Sequence, residues 1–373
     1  MTEGLLSLLG ELVKVDSTSS KSNAPMLDAL EPRLKALGFS TERHRYQDDA
    51  GLEKANLLAT LGTGLPELAL VGHTDCVPFD PSWTEALQLV ERDGKLFGRG
   101  ACDTKAFIAC ALTAAERVKS KLKKPLLLAF TADEEVGCLG AKKLLEAGKG
   151  RAKHAIVGEP TQLQPIRANK GYCLAELEVR GKEGHSAYPD SGASAVFRAA
   201  RFLSRLEAYA RGPLRAEQDD AFVPPFATLN VGVIQGGTAK NVIPGRVKMT
   251  VEWRPIPGQQ VETVLREVER ALEETRRDDP SMEWTLKPLR MDRGFSTPPD
   301  AELVKFLEKE SGKTAGTVAF GTEGPQLAAL GAQPVVFGPG DIKVAHQNGE
   351  FCPKAELLRA EEVLEAALLR FCG

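Results

Sequence analysis

The chain has 373 residues, 42% of them apolar, which is too long for one ordinary core and predicts two globular domains. A formal net charge of −3 leaves no basic footprint for a nucleic-acid partner. No apolar run is long enough to span a bilayer, residues 1–15 lack a secretory pattern, and the seven cysteines include no Cys-x-x-Cys pair, so a reduced cytoplasm is expected.

Leu5, Leu8, Leu9, Leu12 and Val13 share a helical face, as do Met26, Leu30, Leu34 and Leu37 before Gly38. Strands are predicted over 56–61 and 68–71, then a loop with Pro78, Pro81 and Trp83. The turn-rich stretch Gly98-Arg99-Gly100-Ala101-Cys102-Asp103 opens an Ala-rich helix over 106–118. A strand over 126–131 runs into Asp133-Glu134-Glu135, a helix follows over 140–147, and a strand over 155–158 runs into Glu159-Pro160-Thr161. This alternation predicts a largely parallel sheet with helices on both faces.

The pattern changes near Tyr172. Strand 172–179, helix 193–206, strands 226–234 and 246–252, helix 260–274 and strand 282–289 read as βαββαβ, the ferredoxin-like order. Residues 211–225 form a polar, proline-containing loop. Alternation resumes with helix 301–309, strands 317–320 and 333–337, and a last helix over 353–371. The expected organisation is a first domain of residues 1–174 and 289–373 with residues 175–288 inserted.

Residues that follow strands in an open α/β sheet face the crevice where ligands bind. There the chain places His73 and Asp75, then Glu134 and Glu135, then Glu159; Asp103 opens a helix and His346 lies in the returning segment. Imidazoles and carboxylates with no required thiolate suit Zn²⁺, Co²⁺ or Mn²⁺ in a hydrolytic site better than a structural zinc. Adjacent acids are common on surface loops, but directly after an apolar strand Glu134 and Glu135 can divide the work, one as ligand and one as general base. Cys76 and Cys102 read as small buried fillers.

Gly72-His73-Thr74-Asp75, Gly100-Ala101-Cys102-Asp103-Thr104-Lys105, Thr131-Ala132-Asp133-Glu134-Glu135, Gly158-Glu159-Pro160-Thr161 and Gly184-His185-Ser186 together resemble the dinuclear zinc aminoacylase/carboxypeptidase family. The resemblance covers essentially the whole chain. It implies a zinc-peptidase-like catalytic domain with an inserted α+β ferredoxin-like lid that also dimerises the protein, and two Zn²⁺ ions, with Co²⁺ or Mn²⁺ as alternatives. It implies that His73 and Glu159 bind one metal, Glu135 and His346 the other, and Asp103 both. Asp75 would orient His73, and Glu134 would take a proton from water and pass it to the leaving amine.

The same resemblance implies that His185 steadies the oxyanion in the partner subunit's site, that Asn241 is a second lid contribution, and that Arg254 binds the substrate carboxylate. Gly321-Thr322-Glu323-Gly324-Pro325 looks most like the branch that removes the acetyl group from N²-acetyl-L-ornithine, in arginine biosynthesis; Gly321, Thr322 and Glu323 would line the substrate site, with Glu323 reading the side-chain amine. Acetylcitrulline, succinyl-diaminopimelate, general aminoacylase or dipeptidase activity, and an inactive binding protein, are the alternatives. One departure is Thr104-Lys105-Ala106 where the family usually has methionine, lysine and glycine, which is expected to alter a pocket wall. His44 and His154 match no motif and are expected at the surface.

Overall fold

The computed structural model describes residues 2–373, and the chain divides into two compact units: residues 1–167, 297–316 and 322–373, and residues 168–296 and 317–321. The divisions lie outside 174 and 289 because the strands Tyr172–Arg180 and Glu283–Asp292 pair with each other along their lengths.

In the first unit the strands Leu126–Thr131, Leu68–His73, His154–Val157 and Gln333–Val336 run parallel, in that spatial order. The strand Glu53–Leu61 pairs antiparallel with Leu126–Thr131. Leu126–Thr131 and Leu68–His73 are buried throughout, as parallel strands covered on both faces must be, which explains their unbroken apolar runs. Helices Thr2–Lys14, Ala24–Ala36, Lys105–Val118, Glu302–Ser311 and Lys354–Cys372 share one core with Leu57, Leu70, Leu128, Ile156 and Val335. Each such buried leucine contributes about 2 kcal/mol. Ala106 is fully buried in this core, so the departure at that position alters packing and no pocket wall.

The strand Ser40–Gln47, an antiparallel edge on Glu53–Leu61, had no signal in the sequence. Its residues Ser-Thr-Glu-Arg-His-Arg-Tyr-Gln are polar on both faces, so no period-2 apolar pattern exists to find. His154 is also not a surface residue: it is half-buried, with its ring 5.0 Å from that of Phe371.

The second unit has the expected βαββαβ order, with antiparallel strands arranged Thr228–Gly236, Arg246–Arg254, Tyr172–Arg180, Glu283–Asp292. Helices Ala195–Arg211 and Glu262–Asp278 supply Phe202, Leu206, Val264, Val268 and Leu272 to its core around Trp253. The loop after Arg211 is pinned by the buried Lys170, whose Nζ donates to Pro224 O at 2.7 Å and Phe226 O at 2.6 Å.

Candidate metal centre

The four parallel strands of the first unit end together, and the residues after them converge. His73 is the last residue of its strand, in register with Thr131. Its Nδ1 lies 2.9 Å from the carbonyl oxygen of Asp75, and that contact leaves Nε2 facing Asp103. Orientation of the ring therefore comes from the Asp75 backbone, because the Asp75 carboxylate stands 3.6 Å from Nδ1 and is engaged elsewhere. It accepts from Ser19 Oγ at 2.9 Å and from the N–H groups of Glu134 at 3.1 Å and Glu135 at 3.3 Å. Burial opposes ionisation of Asp75, but His73 and these donors hold its carboxyl below the usual range.

Asp103 sits between two imidazoles, with Oδ1 2.9 Å from His73 Nε2 and Oδ2 3.3 Å from His346 Nε2. Glu135 Oε2 is 3.0 Å from the same His346 nitrogen. His73, Asp103 and Glu135 bring one ligand-capable atom each within 4.8 Å of one another, and so do His73, Glu134 and Glu159. The geometry thus unites His73, Asp103, Glu135, Glu159 and His346, and adds Glu134 to the cluster.

Glycine at 158 lets the backbone before Glu159 pack directly on Phe107: a Cβ there would lie 2.2 Å from the Phe107 ring. The Asp103 loop is held by the buried Glu350, whose carboxylate accepts from the N–H groups of Gly100 at 3.1 Å, Cys102 at 2.8 Å and Asp103 at 2.9 Å, and from Arg99 at 2.6 Å. Cys76 and Cys102 are buried and free.

The electrostatics of this crowd call for cations. Burial, with Asp103 and the neighbouring glutamates repelling, pushes Glu159 well above the usual carboxyl range. Burial also raises Glu135, and raises Glu134 to about 8, with Glu135, Glu323 and Asp103 adding to the latter. Hydrogen bonds to Asp103 and Glu135 raise His346 to about 10. Two imidazoles beside buried carboxylates whose charged form burial disfavours make a donor set that fits divalent metal.

Sequence reasoning missed three groups here: Glu350, Ser19 and the Lys54–Asp133 ion pair, 2.7 Å long with both side chains 1% exposed. A lysine within the mostly buried strand Glu53–Leu61, just before its apolar run, was the available signal.

The remaining candidates divide. Thr322 is buried, and its Oγ1 accepts from Gly324 N at 3.1 Å, just before the helix Gly324–Ala329. Glu323 is 1% exposed. Its Oε2 accepts from Thr131 Oγ1 at 2.9 Å, its Oε1 has no partner among the described residues, and burial raises it to about 7. In the second unit, His185 pairs in register with Val242, next to Asn241, and both His185 and Asn241 are exposed. Ala187 N donates to His185 Nδ1 at 3.1 Å, so the neutral ring carries its proton on Nε2. Arg254 donates to Glu252 at 2.9 Å and to Ala319 O at 3.0 Å and stacks 4.5 Å over Tyr172. Gly321 closes that segment, 3.7 Å from Arg290 at the position a Cβ would take.

Residues 69–370 match the model for peptidase family M20/M25/M40. The chain belongs to this family. Among M20 relatives, an acetylornithine deacetylase of Myxococcus xanthus is 60% identical, covering 99% of this chain and 98% of the relative. An acetylornithine deacetylase of Proteus mirabilis is 36% identical over 96% and 92%. A tripeptidase of Staphylococcus aureus has the same M20-type fold, with a TM-score of 0.80 at 23% identity over 99% of each chain. A dinuclear metal binding M20 peptidase of Bacillus subtilis gives 0.71 at 15% over 99% of each. No described helix is long and apolar enough to cross a membrane.

Proposed function

We propose that this amide hydrolase removes the acetyl group from N²-acetyl-L-ornithine, giving L-ornithine and acetate in the cytoplasm as part of arginine biosynthesis. The observation that carries the chemistry is Asp103 between His73 and His346, amid carboxylates that burial keeps short of positive charge. The substrate rests on the 60% identical relative.

His73 and Glu159 would hold one Zn²⁺, His346 and Glu135 another, and Asp103 both; Co²⁺ and Mn²⁺ suit the same donors. Such ions, when bound, supply Lewis acidity toward the amide carbonyl and toward water. Glu134 takes the proton from the attacking water. Glu134 is suited to that task by position, one ligand-capable atom of its side chain lying within 4.8 Å of those of His73 and Glu159. Collapse of the tetrahedral species breaks the C–N bond, and Glu134 returns the proton to the departing amine.

In the second unit, His185 offers its Nε2–H to the developing oxyanion, with Asn241 beside it, and Arg254 receives the α-carboxylate. His185 acts in the site of a partner subunit, in a homodimer formed through the inserted unit. Gly321, Thr322 and Glu323 line the substrate end, where the orphan Oε1 of Glu323 meets the substrate's ammonium group.

A hydrolysis panel of N-acetyl-ornithine, N-acetyl-citrulline, N-acetyl-methionine and N-succinyl-diaminopimelate, run with purified metal-loaded protein, tests this. Acetylornithine should have the highest kcat/KM. A higher value for any of the others removes the substrate assignment.

A further inference from the structure

Glu134 and Glu135 are neighbours with different tasks, so the backbone that carries them must be fixed in direction. Asp133, just before them, has φ +57°, in the left-handed region that a non-glycine residue adopts rarely. Its side chain is held by two strands. Lys54 Nζ donates to Oδ1 at 2.7 Å, and Tyr46 Oη donates to Oδ2 at 2.8 Å. Tyr46 and Lys54 are directly opposite each other in the antiparallel pair of strands Ser40–Gln47 and Glu53–Leu61.

The hold extends beyond Asp133. Lys54 Nζ also donates to Ser19 O at 2.5 Å, and Ser19 Oγ donates to Asp75, whose carboxylate receives the N–H groups of Glu134 and Glu135. Asn56, on the same strand face as Lys54, accepts from Ala132 N at 3.0 Å. The turn Ala132–Glu135 is therefore gripped on one side through Lys54 and Asn56 and on the other through Asp75.

Stability alone is a poor reason for this pair. Two charges taken out of water recover little net free energy, and apolar replacements of similar volume are often neutral or stabilising. A lysine with two acceptors at fixed angles does something an apolar side chain cannot: it sets the rotation of the turn. We infer that Lys54, acting through Asp133 and Ser19, is a positioning residue for the hydrolysis, fixing the direction in which Glu134 presents its carboxylate. This rests on the proposed role of Glu134 as base.

The test compares Lys54→Met and Tyr46→Phe with wild type in kcat, KM, bound metal and Tm. A misplacement of about 1 Å in a catalytic group costs up to about 100-fold, so Lys54→Met should lower kcat by about 10- to 100-fold. KM should stay within about 3-fold, with metal content unchanged, since a base out of line affects the transition state and not substrate binding. Tyr46→Phe, which removes one hydrogen bond and no charge, should lower kcat by about 3- to 10-fold with the same pattern. Wild-type kcat in Lys54→Met overturns the inference. So does kcat loss that merely follows loss of metal, the mark of a structural role. If Lys54→Met does not fold, Tyr46→Phe decides alone: reduced kcat with metal retained supports the inference, and wild-type kcat overturns it. Failure of the wild-type enzyme to hydrolyse any N-acyl amino acid would instead remove the proposed function.

Discussion

Asp75 and His185 stand for two regions built under different demands. Asp75 is buried, and groups from two distant segments, Ser19 and the Glu134–Glu135 backbone, converge on its carboxylate. His185 is exposed, in a two-residue strand, and the N–H of Ala187 two residues on fixes its ring. Charge chemistry in a low dielectric is strong only where donors cannot relax, so the acids are over-determined. A group proposed to meet a ligand as it arrives, as His185 is here, stays in the open.

The largest effect should come from the over-determined region. Glu134→Gln should lower kcat by about 10³-fold while both metals stay bound, because the amide accepts no proton. Glu135→Gln should instead lower the metal-to-protein ratio. Equal metal loss in both, measured by elemental analysis, would erase the division of labour between the two glutamates.

Next is the exposed region. His185→Ala should lower kcat by about 100-fold or more, the scale of an oxyanion donor. If His185 serves the partner's site, a mixed dimer of His185→Ala and Glu134→Gln chains contains one intact site and recovers about half the activity of a wild-type dimer. No recovery after subunit exchange would place His185 in its own chain's site or in none.

Glu323 tests whether a buried group can also read substrate. Glu323→Gln should lower kcat/KM for acetylornithine by about 10- to 100-fold, the scale of a charge-assisted hydrogen bond, and for acetylmethionine far less. A uniform fall would make Glu323 a support for Thr131 alone.

The smallest effect concerns His154. Burial holds its pKa below the usual histidine value, so the unfolded chain binds more protons than the folded one. Its contribution to stability is therefore present above about pH 6.5 and is lost as pH falls toward the folded-state value. His154→Phe should shrink the drop in Tm between about pH 7 and about pH 5; an unchanged drop would mean other groups cause it.

The parallel strands and the acids after them were legible because both signals are local: an apolar run, then a polar residue at its end. The ferredoxin-like insertion was legible from the change to a βαββαβ order near Tyr172. Glu350 and Lys54 were not, because each is defined by partners far along the chain, Asp103 lying 247 residues from Glu350 and Asp133 lying 79 from Lys54. The strand Ser40–Gln47 was hidden because an edge strand with two polar faces has no alternation to betray it.

The grip of Glu350 on the Asp103 loop also orders events in time. The ribosome makes the loop first, then the whole inserted unit, and only then the residue that holds the loop in place. At about 5–20 residues per second, roughly 12 to 50 seconds separate Asp103 from Glu350 during synthesis. His346 emerges in the same late interval. A nascent chain thus carries Asp103 long before it carries the residue whose carboxylate holds the Asp103 loop.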